Sequence, residues 1–583
     1  MLFFLFSEYV YCNDVISKVS NLITQLKYED AIVELEKQLE TQPNNITYYF
    51  IIIDLSLRLG EIEVAEKYIN RALRYDKNNV FINSYLMEIH RIKGNLKQAS
   101  NIAQRILKVP ESKTNLLFVV MYSRLLSEIN VYDAEKFLSL YSKVYRDYRL
   151  FLEMARLYLI IGDDKKVKDF LDKAILLSRF DKDIYLLYGE YYFKRSNYVE
   201  AIKNLEKAVL FPGRKDREYY LLSSSYYHIG DYSKALVYLN KLDIRPEVVA
   251  KVMFLSGGYS DLIQRFSDSN SEVIRYFVED SSIKLSPQDI SLKRKELSYY
   301  RFRKALDLKK SGIPYYELYL RRALRLDPLN YDAWFEIANY YRYYNSPYFA
   351  FDELKVAKNL FLNNSRLQDL FSSLGDYVSN VSKLSSWDIQ IENRRRLKIL
   401  FEVEKGNIGL ESAFFEDILN WALSAIKLVN ASLEITGKKD GFYRKNYDFV
   451  FVLKPISVKD FFVVDLSLIN PMNSSVLTNT IISVKFSDNV VSDLYYAFKT
   501  KMFSLIPYVG VVEGVRGNRF VVRFLGNTHK NGEEVIILDR INQGEEIARG
   551  RIIDTEGEYS LVELSDKDKY LKSVKIGQIV IRI

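Results

Sequence analysis

The chain has 583 residues, and 48% of them are hydrophobic. A chain of this length is too long for one compact core and is predicted to form about two to four structural units. Its 83 basic and 75 acidic residues leave a net charge of +8, and this near balance argues against a dedicated nucleic-acid binder, which concentrates positive charge. Three histidines and a single cysteine, Cys12, exclude almost every His/Cys metal site and any internal disulfide. We therefore predict no metal and no nucleic-acid partner.

Residues 1–11 form an apolar and aromatic run with no Lys or Arg before it. The run is too short to span a bilayer, and it lacks the charged start of a signal peptide. Two interpretations remain: residues 1–12 are a truncated signal segment whose true start lies upstream, with Cys12 near the processing site, or they form an apolar helix that packs on the first repeat. The first is favoured, and it predicts membrane proximity through this segment.

Small residues then recur along residues 13–246 with gaps of 34, 34, 35, 33, 34 and 34 residues. They are Ala31, Ala65, Ala99, Ala134, Val167, Ala201 and Ala235. A glycine stands five residues before four of them, at Gly60, Gly94, Gly162 and Gly230. Prolines follow several of them at eleven or twelve residues, as at Pro43 and Pro212. Such a period indicates a repeated supersecondary unit.

This period and these landmarks resemble the tetratricopeptide repeat (TPR), a hairpin of helix A and helix B. The small residue lets helix B approach helix A, the glycine permits the tight turn, and the proline ends helix B. The resemblance implies an α-solenoid over residues 13–246, and it implies a non-enzymatic scaffold for protein–protein interaction.

The register weakens after residue 246 and returns later. Gly257-Gly258, the polar run 267–271 and Ser286-Pro287 interrupt it, so residues 247–296 are predicted to be a degenerate repeat or a bridge. A second TPR block is predicted over residues 297–362, where Ala350 and Ala357 stand at the expected positions. Residues 363–432 are predicted to be a helical cap and connector, since an open solenoid end exposes apolar surface.

The tail changes from helical to alternating periodicity at about residue 447. Predicted strands at 447–453, 460–469 and 478–486, with helices at 414–433 and from 490 to near Pro507, indicate a small α/β domain over residues 433–507. Residues 508–583 contain six short apolar runs with glycines at their corners, which predicts a small β-barrel; the runs are 509–515, 519–525, 534–540, 546–553, 559–564 and 578–583. The predicted fold class is mainly α: a TPR α-solenoid, then the α/β domain and the barrel.

The tail also resembles a known protein family. The stretch 510–522 and the later return at 577–580 are similar to the middle and C-terminal domains of flagellar assembly protein T. A TPR solenoid fused to such a tail resembles the flagellar-motor collar proteins of spirochaetes. This resemblance implies a periplasmic structural subunit of a ring assembly, with other motor or collar subunits as partners. The alternative is a cytoplasmic TPR adaptor that recruits a peptide or protein partner.

No phosphate loop, nucleophile elbow, zinc signature or dinucleotide fingerprint is found, so we predict no catalytic residue, cofactor or small-molecule substrate. In TPR proteins the concave positions of helix A bind partners, and aromatic residues with Arg are the usual anchors. The resemblance implies Arg217, Tyr220, Tyr227 and His228 in the seventh repeat and Phe335, Asn339, Arg342 and Tyr343 in the last strong repeat. Alternatively, several of these side chains pack against neighbouring helices. A carboxylate clamp is incomplete, because Phe335 stands where a basic residue is expected.

Overall fold

The computed structural model describes residues 14–344, 346–381, 387, 397–404, 410, 413–427, 431–437, 439, 441–458, 460–505, 509–525, 530–538, 546–565 and 574–582. The segment predicted to be a truncated signal, with Cys12, lies outside these residues. The chain divides into two compact units, residues 1–243 and residues 244–583. No described helix is both long and apolar enough to cross a membrane.

The described part of the first unit is a row of helical hairpins, which confirms the predicted solenoid. Odd-numbered helices are helix A and even-numbered helices are helix B of each hairpin. They are α1 (Asp14–Thr24), α2 (Tyr28–Thr41), α3 (Ile46–Leu59), α4 (Ile62–Ala72), α5 (Val80–Ile92), α6 (Leu96–Leu107), α7 (Leu116–Ile129), α8 (Val131–Val144), α9 (Tyr148–Ile161), α10 (Asp164–Leu177), α11 (Lys182–Lys194), α12 (Tyr198–Val209), α13 (Asp216–His228) and α14 (Tyr232–Leu239).

The repeated sequence landmarks take the structural roles predicted for them. All seven small residues of the period are fully buried on helix B. Gly60, Gly94, Gly162 and Gly230 have φ of +86°, +75°, +88° and +83°, a region that glycine enters without steric cost. Helices α3, α5, α7, α9 and α11 begin after an Asn or Asp whose side chain accepts a hydrogen bond from a first-turn backbone N–H. Each such cap satisfies a donor that the helix start leaves open.

The second unit begins with further helices, so the helical pattern continues through the predicted bridge. They are α15 (Pro246–Leu255), α16 (Tyr259–Phe266), α17 (Glu272–Leu285), α18 (Leu292–Lys310), α19 (Glu317–Leu326), α20 (Tyr331–Tyr343), α21 (Pro347–Leu360) and α22 (Ser365–Asp376). Gly257, at φ +80°, turns the chain between α15 and α16. The polar run 267–271 joins α16 to α17.

A five-stranded mixed sheet follows, in the order β2-β1-β3-β4-β5. Its strands are β1 (Leu397–Val403), β2 (Ala431–Gly437), β3 (Phe449–Val458), β4 (Phe461–Ile469) and β5 (Val476–Lys485). The associated helices are α23 (Phe415–Ser424), α24 (Gly441–Arg444) and α25 (Val490–Leu505). Strand β1 runs parallel to β2 and β3, whereas β3, β4 and β5 are antiparallel.

The start of this sheet corrects the prediction that residues 363–432 are a helical cap. Strand β1 lies inside that range, and the helix predicted at 414–433 ends at Ser424, so that Leu433 belongs to β2. Six of the seven β1 side chains are buried, because the strand is central and covered on both faces. Such a strand reads as a continuous apolar run, which periodicity alone does not distinguish from a helix.

The last six strands close into a barrel in the order β10-β7-β6-β11-β8-β9, as predicted. They are β6 (Val509–Arg516), β7 (Arg519–Phe524), β8 (Glu534–Leu538), β9 (Glu546–Glu556), β10 (Tyr559–Leu564) and β11 (Ile579–Arg582). Gly510 of β6 leaves no room for a side chain, because a Cβ there would lie 2.5 Å from Cγ1 of Val522 on β7. The predicted fold class is confirmed.

Candidate partner-binding face

The A helices of the first unit carry a charged residue at one repeated position. The position holds Asp54, Glu88, Arg124, Arg156 and Glu190, one on each of the five A helices α3, α5, α7, α9 and α11. Residues with a spacing close to the repeat length lie side by side on stacked hairpins. The side chains at this position therefore form a row along the concave face, and their charges pair with one another or with adjacent residues.

We call this row, with its partner residues, the charge ladder. Nε of Arg91 lies 2.8 Å from Oε2 of Glu88, and Nη1 of Arg124 lies 3.3 Å from Oε1 of Glu88. Nη2 of Arg124 also lies 2.6 Å from Oε1 of Glu153. The ladder continues with Arg156 and Asp183 (Nη2–Oδ2, 3.2 Å) and with Arg217 and Glu190 (Nε–Oε1, 2.6 Å). Consecutive hairpins are thus linked by ion pairs across the face.

The ladder keeps the buried carboxylate of Glu88 charged, whereas burial raises the pKa of Glu190. Burial alone raises the pKa of Glu88, but hydrogen bonds from Arg91 and the positive charge of Arg124 outweigh burial and hold the pKa below its ordinary value. A buried carboxylate with two guanidinium partners is fixed in position as well as in charge. Glu88, Arg91 and Arg124 therefore form a fixed cluster of charged groups.

The first unit also closes on itself around a second polar centre. Tyr85 Oη donates to Oδ1 of Asp54 over 2.9 Å, and Tyr148 Oη donates to Oδ2 of Asp181 over 2.9 Å. Burial and the neighbouring Asp183 raise the pKa of Asp181. These bonds tie α3 and α5 to one another and α9 to the residue preceding α11, all on the concave side.

A backbone contact joins two hairpins of the first unit that are far apart in the sequence. The N–H of Arg214 donates to the carbonyl of Leu59 at the end of α3, over 3.2 Å. Gly213 has φ +98°, and a Cβ there would lie 2.4 Å from the carbonyl oxygen of Arg58. Only glycine fits between these groups. The turn between the sixth and seventh hairpins thus rests against the second hairpin.

Two adjoining cavities of about 350 and 410 Å³ lie inside this closed arrangement. Both are lined by Tyr28, Asp54, Arg58, Tyr85, Leu117 and Arg149. The smaller one also includes Glu88, Arg124, Asp181 and Asp183, whereas the larger one has more apolar lining from Ile23, Phe50 and Phe180. The concave face therefore offers a walled space whose polar groups are already paired.

The seventh-repeat residues predicted to bind a partner lie together on α13. Arg217 is exposed at the end of the charge ladder, while Tyr220 and Tyr227 are half-buried. The His228 ring stacks on Tyr198 of the preceding hairpin, with ring centroids 4.4 Å apart, and burial lowers the pKa of His228. His228 therefore contacts a neighbouring helix while part of its side chain stays exposed to solvent. A binding role for the set stays a prediction.

The second predicted set lies on α20 in the other unit. The guanidinium of Arg366 lies 3.8 Å from the centre of the half-buried Phe335 ring. Asn339 accepts a hydrogen bond from Nη1 of Arg342 over 3.4 Å. Arg342 and Tyr343 are exposed. Each set is therefore contiguous on its own helix, and the two sets belong to different units.

Sequence reasoning missed the charge ladder, although its signal was present. Asp54, Glu88 and Glu190 stand eleven residues before Ala65, Ala99 and Ala201, respectively, which are landmarks of the period. A comparison of the equivalent helix A position in all repeats, rather than in two, would have shown charge there in five of the seven. Which charge meets which partner depends on the packing of the hairpins and is not visible in the spacing.

In the second unit, two buried carboxylates attach α25 of the sheet domain to the helical repeats. Oε2 of Glu272 accepts hydrogen bonds from the N–H groups of Val491 and Ser492, each over 3.1 Å, at the N-terminus of α25, where negative charge is favourable. Glu317 accepts from Tyr495 Oη (2.9 Å) and from Lys499 Nζ (2.7 Å). The repeats and the sheet domain are thereby joined through fixed polar contacts.

The barrel is attached to the repeats by contacts of another kind. Tyr348 of α21 packs edge-on against Tyr559 of β10, with ring centroids 4.8 Å apart. Tyr377 Oη donates to Oε1 of Glu556 over 2.8 Å. The second unit thus combines repeats, sheet and barrel in one compact body.

Among the described residues, no group of three or more His, Cys, Asp or Glu could hold a metal ion.

No protein-family model and no curated protein matches the chain. Solved structures with a similar fold include a tetratricopeptide repeat protein from Parabacteroides merdae ATCC 43184, which is 17% identical over 42% of this chain and 97% of its own, with a TM-score of 0.28. The APC/C hetero-tetramer Cut9-Hcn1 is 12% identical over 62% of this chain and 55% of its own (TM-score 0.33). The TPR domain of P58(IPK) is 17% identical over 63% and 98% (TM-score 0.25). On the period, turns and packing of its own hairpins, the first unit has a TPR-like α-solenoid fold.

Proposed function

We propose that the protein is a non-enzymatic interaction scaffold and a structural subunit of a larger protein assembly. The observation that carries this proposal is the charge ladder, which links successive hairpins through paired side chains and makes the concave face rigid. A preorganised surface binds a partner with little ordering cost. Exposed Arg217 and the aromatic residues beside it at the end of the ladder have the composition of interface anchors.

The proposed assembly is a periplasmic collar or ring of a flagellar motor. Support comes from the resemblance of residues 510–522 and 577–580 to flagellar assembly protein T, and from the order of solenoid, α/β domain and barrel. The proposed partners are other motor or collar subunits, and the proposed location is the periplasm. The collar assignment is more specific than the scaffold role, so each of the two has its own experiment.

The direct test is electron cryotomography of motors in cells with and without the protein. Loss of density beside the motor in the deletion strain, restored by complementation, is the expected result. An unchanged motor outline would rule out the collar assignment. Recovery of the protein in the cytoplasmic fraction, together with an unchanged motor, would instead favour an adaptor that recruits a peptide or protein partner.

The scaffold role is tested by photo-crosslinking in cells. A photoreactive amino acid replacing Tyr220 is expected to crosslink to one or a few discrete partner proteins, because this half-buried residue lies beside Arg217 at the open end of the ladder. The same amino acid replacing Tyr132, an exposed residue of α8, is the matched control. Equal and diffuse crosslinking from both positions would contradict a binding role for α13.

A further inference from the structure

One edge of the first unit combines unpaired positive charge with exposed apolar side chains. Each connection from helix B to the next helix A lies on the same edge of the row of hairpins, because the hairpins stack in parallel. Three of these connections are residues 107–115, 143–148 and 176–182, each with the last residues of its helix B. We call them the B-to-A edge.

Apart from Lys182, which pairs with Glu218, the cations of this edge have no counterions among the described residues. Lys108, Lys113, Lys143, Arg146 and Arg179 are exposed, and within the described ranges none of them forms an ion pair. Asp147 and Asp181 are engaged elsewhere, by Arg149 and Tyr148 respectively. Glu111 is the single exposed carboxylate of the three connections. The edge is therefore positively charged.

The opposite edge, where helix A turns into helix B, has a different charge pattern. Nζ of Lys93 lies 2.6 Å from Oε2 of Glu66, and Lys166 and Arg195 pair with Asp163 and Asp164. Exposed Lys97 and Lys165 stand in the first turns of α6 and α10 without an ion pair to a described residue. Acidic residues are interleaved with these cations, so this edge is close to neutral.

Large apolar side chains project among the cations of the B-to-A edge. Val144, Leu176 and Phe180 are 71%, 79% and 84% exposed. Packed helices lie about 8–10 Å apart, so neighbouring connections are close enough to form one surface. A cluster of exposed apolar residues is a feature of binding surfaces rather than of ordinary surface.

We propose that the B-to-A edge docks on an anionic phospholipid bilayer. Basic residues near such a surface are attracted by its negative potential, and aliphatic and aromatic side chains enter the boundary between headgroups and acyl chains. A nucleic acid would meet the cations equally well, but it gives Val144 and Leu176 no apolar environment. The composition of the edge therefore favours lipid, independently of the collar assignment.

The test compares two double variants of the full chain by vesicle co-sedimentation. The lipids are phosphatidylcholine alone and an equal mixture of phosphatidylglycerol and phosphatidylcholine. Each cation near an anionic bilayer contributes about fivefold to affinity. Lys143→Gln/Arg146→Gln is expected to bind the mixed vesicles about 25-fold more weakly than the unchanged chain, whereas the matched control Lys97→Gln/Lys165→Gln, on the opposite edge, is expected to bind within about twofold of it.

Both variants retain residues 1–11, so any contribution from that segment is common to them and cancels in the comparison. All four substituted side chains are exposed, and an unchanged circular dichroism spectrum verifies folding. Val144→Ser/Leu176→Ser is expected to weaken binding to the mixed vesicles without changing its dependence on salt. The proposal is overturned by equal loss in the two charge variants, by no preference for phosphatidylglycerol, or by tighter binding to a DNA duplex or to polyglutamate than to the vesicles.

Discussion

In six of the seven hairpins of the first unit, the turn places one residue in the left-handed backbone region, and the identity of that residue sets the conformational cost. The sequence pattern located this position through four glycines. It did not show that Leu26 and Ser196, which occupy the same position of the first and sixth hairpins, take φ of +61° and +57°. The geometry of the turn requires the positive φ, so it is also found where the residue is not glycine.

Gly162→Ala isolates this backbone cost. No atom lies within 4 Å of a Cβ added at Gly162, so the only change is the strain of a side chain at positive φ. We expect the free energy of unfolding to fall by about 1 kcal/mol, measured by urea denaturation. Lys165→Ala, three residues away on an exposed helix face, is the control and should leave stability nearly unchanged. Equal stability of Gly162→Ala and the unchanged protein would show that the turn relaxes at no cost.

A second single residue with a measurable effect on stability is Glu88, whose carboxylate is shared by two guanidinium groups. Glu88→Gln removes that charge, and we expect destabilisation of about 3 kcal/mol at neutral pH, because Arg91 and Arg124 each lose a buried counterion. The pKa of Glu88 is lowered from 4.5, so its stabilising contribution is present above about pH 4.5 and is lost as the pH falls through the lower folded-state value.

Denaturation of both proteins at a series of pH values measures this difference. Glu200→Gln removes the carboxylate of an exposed pair with Lys203 and should change stability by less than about 0.5 kcal/mol. If the difference between Glu88→Gln and the unchanged protein stays constant as the pH is lowered, the ladder does not keep this carboxylate charged.

At the scale of elements, the close approach of helix A to helix B in the sixth hairpin depends on one small residue on each helix. Gly189 of α11 faces α12, and a Cβ there would lie 2.5 Å from Cγ and from Cδ2 of Leu205. Gly189→Ala should therefore destabilise the hairpin by about 1–3 kcal/mol through overpacking, measured by denaturation and by faster amide exchange in α11 and α12. Ser223→Ala, at the equivalent position of α13, is the control because its side chain already contains a Cβ. A cost no larger than that of the control would mean that Leu205 moves aside freely.

The elements also show where periodicity succeeds and where it fails. The six barrel strands were found because each alternates or lies between glycine turns. Strand β1 was missed because Leu397–Val403 is buried on both faces and has no alternation to read. Burial on two sides is a property of the assembled sheet, and a single segment does not contain that information.

At the scale of the whole molecule, the second unit depends on buried polar contacts between its parts. Burial alone raises the pKa of Glu317, but Lys499 and Arg321 outweigh it and lower the pKa to about 2. Glu317→Gln is expected to leave Lys499 without its partner and to release α25, giving an additional early transition in thermal unfolding and faster amide exchange in α25. Its effect should diminish as the pH falls from about 4.5 toward 2, since the carboxylate contributes only while it is charged.

Lys309→Met is the matched control, because it breaks an exposed pair with Glu336 and should not add a transition. A single unchanged transition in Glu317→Gln would show that apolar packing alone holds α25 on the repeats. None of these contacts was predictable from spacing: Glu272 and Val491 are 219 residues apart, and only the fold brings them together.

The contact of Gly213 with the end of α3 restricts the insertion or deletion of whole hairpins in the first unit. An open row of hairpins gains or loses a unit with little penalty, since each hairpin touches only its neighbours. Here, deletion or duplication of any hairpin between α3 and α13 would move Gly213 away from Arg58. The hydrogen bond between the N–H of Arg214 and the carbonyl of Leu59 would then be lost. The number of hairpins in the first unit is therefore locked, and diversification of this solenoid is confined to substitutions on its faces and edges.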